Sequence, residues 1–339
     1  MRNRNMNKRL SYLAGLIVTL CFIGEGIAQE HEKLAQSGMQ FLSVAADARA
    51  AAMAGAVITD TEMKSGALFF NPACMAGMSD FIDFSASQNK WIADITHNAF
   101  SFAIRPWHGE YGVFGVSFQS VDYGEVLKTR VDKTNPLGYV DMGDFSPSSL
   151  TIGVGYAKAL TDRFSVGGQM KWVRQNLGES IISVGTDSST AVENELTPLA
   201  FDFGTLFHTG VKSLVFGMSV RNFSKEIKYA QEGFQLPLVF TLGISMDILD
   251  LVTLGGPKQS VVLSINAAHY RSHPEQIMVG IDYRLMDLLS IRGGYVSGDY
   301  EDNFTFGFGV SHYGFQLDYA YTPFGIFDKV QRMTIRFSL

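Results

Sequence analysis

Residues 303–311 read NFTFGFGVS, which puts Phe304, Phe306, Phe308 and Val310 on one side of an extended chain and Thr305, Gly307, Gly309 and Ser311 on the other. A strict period of two cannot keep one apolar face on a helix with 3.6 residues per turn, so it specifies a strand with an apolar face and a small or polar face. The pattern repeats along the chain. Phe315, Leu317, Tyr319 and Tyr321 oppose Gln316, Asp318 and Ala320, and Phe100, Phe102 and Ile104 oppose Ser101, Ala103 and Arg105. Fourteen such segments start near residues 81, 97, 111, 149, 163, 198, 213, 237, 259, 275, 287, 303, 313 and 330. Most approach the roughly 9–11 residues of a strand that crosses a bilayer at a tilt.

The connections fall into two classes. Those after even-numbered strands are mostly short, as at Thr161-Asp162, Met286-Asp287 and Tyr313-Gly314; those after odd-numbered strands include Val121 to Ser148, Asn176 to Thr197 and Asn222 to Leu236. Asp250 to Lys258 and Arg271 to Pro274 depart from the rule. Short turns at one end and long loops at the other are the mark of a transmembrane barrel, with the short set facing the periplasm.

A soluble sandwich also alternates, so the polar face has to decide. In a sandwich that face meets bulk water and fills with Lys, Glu, Thr and Gln. Here it is mainly Gly, Ser, Ala and Thr, with isolated charges at Asp83, Arg105, Lys171, Asp202, Asp282, Arg284, Arg292, Asp318 and Arg336. The opposite registers, such as Leu150, Ile152, Val154 and Tyr156 or Leu238, Phe240, Leu242, Ile244 and Met246, are nearly free of charge. A Lys or Arg facing lipid at the midplane costs about 2–4 kcal/mol, which accounts for that absence. Tyr156, Trp172, Tyr283, Tyr295 and Tyr321 sit near strand ends, as interfacial girdles do. The terminal MTIRFSL puts Met333, Ile335, Phe337 and Leu339 on one face, and pairing of the first strand with the last removes both exposed edges. The expected fold is an all-β, 14-stranded antiparallel transmembrane barrel over residues 81–339.

Residues 1–28 read as a secretory signal peptide: Arg2, Arg4, Lys8 and Arg9, an apolar run from Leu10 to Ile23, and Gly26-Ile27-Ala28 before the cut. The mature chain then keeps a single cysteine, Cys74, read as a small buried hydrophobe rather than a catalytic thiol. The net charge of −6, without a Lys/Arg cluster beyond the signal, argues against a nucleic-acid partner.

Fourteen strands enclose more space than their own side chains fill, so such a barrel conducts water or holds a plug. Residues 29–80 fit as an amino-terminal plug or hatch. Ala45 to Ala56 is dense in alanine and compatible with a helix, and Asn71-Pro72 forces a turn or extended conformation.

QFLSVAADARAAAMAGA (40–56) followed by LFFNPACMAG (68–77) resembles the amino-terminal region of the PorV/PorQ family of outer-membrane proteins. The matching positions are Phe41, Leu42, Ala48, Arg49, Met53, Gly55, Asn71, Pro72 and Ala73, and FGVSFQSVDYGEV (114–126) is similar to the family's third strand. Ala54-Gly55 stands where many members carry paired glycines, and Cys74 where a small residue is usual. The resemblance implies a FadL-like barrel in the outer membrane of a Gram-negative-type bacterium. It also implies a non-enzymatic part in type IX protein secretion, without a cofactor, with cargo or secretion proteins meeting the long extracellular loops and lipid surrounding the wall.

Two other readings stand beside it. The FadL-like architecture admits a transporter of hydrophobic small molecules, in which Phe69, Phe70, Asn71, Pro72 and Ala73 line a ligand pocket; the phenylalanines equally suit plain packing against the wall. Gly167-Gly168 and Gly293-Gly294 are candidate bulges. An enzyme would need a cluster such as His269, His273 and Glu275, but Pro274 breaks any helix that brings the histidines to one face. Asp299, Glu301, Asp302 and Asn303 offer oxygen ligands for calcium, with an acidic solvated turn as the plainer account.

Overall fold

The computed structural model describes residues 37–339 except residue 133 and residues 185–187, 230–232, 252–257, 273, 299–302 and 326–328. The signal-peptide reading of residues 1–28, and His273, Asp299, Glu301 and Asp302, lie outside the described residues. The alternating segments form β1 (Ile82–Lys90), β2 (Thr96–Ile104), β3 (Val113–Asp122), β4 (Ser148–Ala159), β5 (Phe164–Val184), β6 (Leu199–His208) and β7 (Val215–Ser224). The second half of the wall is β8 (Val239–Asp247), β9 (Gln259–Tyr270), β10 (Gln276–Leu285), β11 (Leu289–Val296), β12 (Phe304–His312), β13 (Phe315–Pro323) and β14 (Lys329–Ser338). Each starts within two residues of its expected position.

Of the fifteen strands in the main sheet, Ser188–Leu196 pairs only with the outer part of β5, which leaves fourteen in the ring. Neighbours are antiparallel, and β1 meets β14 in unbroken register from Asp83↔Ser338 to Lys90↔Gln331. No edge of the ring is left open. The alternation decides which way each side chain points: Phe304, Phe306 and Phe308 are 57%, 55% and 51% exposed on the outer surface, while Thr305 between them is 5% exposed toward the lumen. The expected girdle residues Tyr156, Trp172, Tyr295 and Tyr321 also lie exposed on the outside. No helix among the described residues is long and apolar enough to cross a membrane.

The glycine pairs are not bulges. Gly167 and Gly168 pair in continuous register with Ala157 and Tyr156 on one side and with Gly204 and Phe203 on the other, and Gly293-Gly294 runs unbroken between β10 and β12. What one member of each pair, Gly167 and Gly294, provides is room on the lumen side, described below. The register shift in the wall lies instead between Val220 and Phe223 of β7.

Two long connections at the outer end are hairpins. Val126–Val131 pairs with Tyr139–Phe145, and β5 continues past the ring to pair with Ser188–Leu196. They brace each other through Lys128 Nζ to Glu179 Oε2 at 3.1 Å and through the Phe145 ring against Gly178. At the tip of the first, the Thr134 hydroxyl and backbone N–H both donate to Asp132, and these bonds hold its carboxyl below the usual range.

Candidate functional site

The segment from Ser37 to Asp80 runs through the ring from the long-loop end to the short-turn end. It enters beside the β7–β8 connection, where Gly38 N–H donates to the Gln235 carbonyl at 3.1 Å. Met39, Phe41 and Leu42 are buried there against Val121, Val173, Ala200 and Leu236. It leaves at the opposite end, where Lys64 Nζ bonds Asp80 at 2.7 Å and Ser338 Oγ at 2.8 Å, and Phe81 N–H donates to the Leu339 carbonyl at 2.7 Å.

Of the alanine-rich stretch only Ala48–Ala52 is α-helical. Asp47 caps it by accepting from Ala50 N–H at 3.0 Å, and Ala54 and Gly55, with φ of 51° and 80°, end it after little more than a turn. So short a helix is marginal by itself and is held by the wall. Ala48 N–H donates to Thr334 Oγ1 at 2.8 Å, Ala54 N–H to Thr305 Oγ1 at 3.1 Å, and Asn266 Nδ2 to the Gly55 carbonyl at 3.2 Å. Ala48 N–H, in the first turn, has no partner within the helix and finds one on the wall, as does the Gly55 carbonyl beyond the helix end, while Ala54 N–H is shared with the Ala51 carbonyl at 3.1 Å.

The wall glycines make this approach possible. A Cβ on Gly294 would stand 2.4 Å from Ala54 N, one on Gly280 2.9 Å from Met53 Cβ, and one on Gly307 2.5 Å from Ala52 Cβ. On the other side of the ring, a Cβ on Gly167 would stand 2.5 Å from Ala73 N and one on Gly204 1.8 Å from Asn71 Oδ1. The lumen face is rich in glycine where the segment's backbone lies against it.

Asn71 is fully buried. Its Nδ2 donates to the Ile58 carbonyl at 2.6 Å and the Thr205 carbonyl at 3.2 Å, and its Oδ1 accepts from Ala73 N–H at 3.1 Å, which caps the 3-10 turn Pro72–Gly77. Cys74, also buried, donates its thiol to the Ile58 carbonyl at 3.1 Å. The native protein should therefore resist a water-soluble maleimide at Cys74 and react once denatured; fast labelling of the native form would contradict this seating.

The interior charges of the wall pair with charges of the segment. Arg49 bonds Asp60 at 2.7 Å and Asp282 of β10 at 3.0 Å; Arg292 of β11 links Asp282 at 3.2 Å to Asp318 of β13 at 2.6 Å. Arg336 of β14 reaches Asp47 at 3.2 Å, and Arg284 lies 3.5 Å from both Glu62 and Asp282. Asp83 accepts from Ser65 N–H at 2.9 Å and from Ser338 Oγ at 2.7 Å. From Arg49 through Asp282 and Arg292 to Asp318, guanidiniums and carboxylates alternate, so each of these buried charges meets an opposite one, while buried Asp83 is held by neutral donors.

Two spaces remain at the ends of the lumen. The inner one, about 750 Å³, opens among the short turns and is polar, with Arg49, Glu62, Lys64 and Arg284 on its walls. The outer one, about 450 Å³, opens at the long-loop end between the segment and Trp91, Tyr270, Phe324, Arg221 and Arg332.

The expected site residues thus lie in several places. Phe41 and Leu42 join the outer cluster; Ala48, Arg49, Met53 and Gly55 lie at the centre against β10–β14. Phe70 is buried among Leu68, Ala73 and Met75, with Phe69 half-buried beside it, and Asn71-Pro72-Ala73 sits against Gly167 and Gly204. Asp47, Asp60, Thr334 and Arg221 were not singled out from sequence. For the two aspartates the signal was present, as charges inside an otherwise apolar segment. His269 and Glu275 form an exposed pair at 2.8 Å, and no group of three or more His, Cys, Asp and Glu able to hold a metal occurs among the described residues.

A closed fourteen-strand ring with a lipid-facing apolar surface, occupied by its own amino-terminal segment, defines an outer-membrane barrel of the FadL-like class. The family model described as type IX secretion system protein PorV matches residues 27–254, and the chain belongs to that family. No curated protein matches it in sequence. Among solved structures it is similar to the CymD monoaromatic hydrocarbon channel (12% identity, TM-score 0.55, covering 87% of this chain and 98% of that one). It is also similar to the toluene transporters TbuX of Ralstonia pickettii (13% identity, TM-score 0.53, covering 86% and 98%) and TodX of Pseudomonas putida (13%, 0.50, 80% and 91%). At such identities the likeness is one of fold.

Proposed function

We propose that this barrel is a non-enzymatic component of type IX protein secretion that meets exported cargo or a secretion partner through its outer hairpins. Membership of the PorV family is the observation that carries the reading. The shape of the outer face supports it. The two hairpins stand beyond the ring, brace each other, and present Val131 at 79% and Leu137 at 71% exposure. Val126, Leu127, Tyr139 and Met142 of the first hairpin are exposed with them, and a group of apolar side chains on one loop, unlike scattered ones, suits a contact surface.

The test is to replace residues 127–144 with a short Gly/Ser linker and compare what co-purifies with each form from membranes in mild detergent. The deletion should leave the barrel folded, judged by its heat-modifiable migration, and remove stoichiometric secretion or surface proteins that accompany the intact form. An intact form that brings no protein with it, or a deletion that brings the same ones, would overturn the reading.

A second reading, passage of a hydrophobic small molecule, draws on the fold shared with hydrocarbon channels and on the apolar walls of the outer cavity. Passage past the segment would require it to move, against the hydrogen bonds and ion pairs described above, whereas release sideways through the wall would leave it seated. Uptake of a radiolabelled hydrocarbon by cells with and without the protein separates the two.

A further inference from the structure

Two neighbouring short turns carry cations that nothing in the described chain neutralises. β5 and β6 pair down to Phe164↔Phe207, and His208 N–H donates to the Arg163 carbonyl at 2.8 Å, so the β4–β5 turn lies beside the β6–β7 turn. The Arg163 guanidinium lies across Gly210 of the second turn, where a Cβ would stand 2.9 Å from its Cζ. Lys212 follows in the same turn, at φ 55°. Lys158, at the end of β4, completes the set. It pairs with Val166 and, two residues beyond outward-facing Tyr156, holds a lipid-facing register. No other Lys or Arg holds an outward register in the short-turn half of the described strands.

The remaining Lys and Arg side chains at this end are engaged. Lys64 bonds Asp80, Lys258 bonds Asp287, Arg284 lies near Glu62 and Asp282, and Arg105 donates to the Ser79 carbonyl at 3.0 Å. Lys158, Arg163 and Lys212 make no side-chain hydrogen bond or ion pair among the described residues, although Asp162 is exposed beside them. Asp250, on the next turn, accepts from Ser213 N–H at 3.1 Å. The wall on the membrane side of these turns is aromatic. Phe164, Phe207 and Phe216 stand in one row across β5, β6 and β7, in register with one another, and Leu160 and Val211 are 56% and 63% exposed on the turns themselves.

We infer that this part of the rim is a binding site for an anionic glycerophospholipid of the periplasmic leaflet, with its headgroup on Lys158, Arg163 and Lys212 and its acyl chains along the phenylalanine row. A guanidinium offers a phosphate two parallel charge-assisted bonds, and each ammonium adds a compact charge on a flexible stem that reaches from the apolar wall to headgroup level. A zwitterionic lipid brings an amine that offsets its phosphate, so three unneutralised cations favour a lipid of net negative charge. Soluble phosphate has nothing to lay on the aromatic row, and a periplasmic protein meets the turns without reaching Lys158 on the lipid-facing side. The inference does not depend on the secretion reading.

The experiment releases the full-length mature protein from nanodiscs of phosphatidylcholine containing equal small amounts of phosphatidylglycerol and phosphatidylethanolamine, and counts the retained lipids by native mass spectrometry. The wild type should retain phosphatidylglycerol about tenfold over phosphatidylethanolamine. The triple variant Lys158→Gln, Arg163→Gln, Lys212→Gln, checked for folding by its heat-modifiable migration, should retain the two alike. Lys90→Gln with Lys329→Gln, which removes exposed lysines at the opposite end, should keep the wild-type ratio. Lys158→Gln alone should lose part of the preference, which keeps the test if the triple variant fails to fold. Glycerol 3-phosphate at millimolar concentration should leave the retained lipid in place. Equal retention by the wild type, a ratio unchanged in the triple variant, a ratio lost equally in the outer pair, or displacement by glycerol 3-phosphate would overturn the proposal.

Discussion

Arg49→Met is expected to destabilise the barrel by about 3–5 kcal/mol, the usual consequence of removing one partner from a buried charge network. The Arg49 side chain is 4% exposed and bonds two carboxylates, Asp60 of the segment and Asp282 of the wall. Asp282 retains Arg292 at 3.2 Å and Arg284 at 3.5 Å, but Asp60 loses its ion-pair partner while still capping the turn that starts at Thr61. The shift should appear as a lower temperature for the loss of heat-modifiable migration and a lower urea midpoint. Arg49→Met combined with Asp60→Asn should recover part of the loss, since the stranded charge is gone. Strictly additive effects would show that the two residues do not act as a pair. Arg49→Lys should fall between, because an ammonium cannot reproduce a guanidinium's fixed reach to two carboxylates.

Gly167→Val should unseat the luminal segment without opening the ring. Gly167 pairs in register on both sides, and valine suits a strand, so the wall itself tolerates the change. Its Cβ, however, would lie 2.5 Å from Pro72 C and Ala73 N, backbone atoms that yield only if the Asn71-Pro72 turn moves. Overpacking of this kind costs about 1–3 kcal/mol and more where backbone must shift. The readouts are faster maleimide labelling of Cys74 and higher conductance in planar bilayers. Gly168→Val is the control, since its Cβ would find nothing closer than Asp202 O at 3.4 Å. If the two variants label and conduct alike, the glycines do not hold the segment in the way described.

The sequence by itself determined the wall. Alternation is a local property, imposed at every second residue by a bilayer that rejects charge, and it was enough to place fourteen strands, their outward faces and the closure of the first strand on the last; the structure supplies the register, Asp83–Lys90 on Gln331–Ser338. The family was legible because the segment around Arg49 and Asn71-Pro72 carries residue types at fixed spacing.

Tertiary structure decided how the luminal segment is seated. An alanine-rich stretch predicts a helix from local propensity, yet only Ala48–Ala52 forms one: the chain turns to positive φ at Ala54 and Gly55, and Thr334, Thr305 and Asn266 of the wall bond the groups at its ends. Gly167 and Gly294 look like places where a strand bends, and their use shows only when a second stretch of chain lies against them. Which carboxylate meets which guanidinium, as in Arg49 with Asp282, joins residues far apart in the chain, and no periodicity records it. The bulge that puts Asn222 beside Arg221 on the lumen side is likewise a mismatch between two strands, invisible in either one alone. Patterns that a uniform solvent imposes are written residue by residue; contacts between distant segments are chosen by shape and charge once the ring has closed.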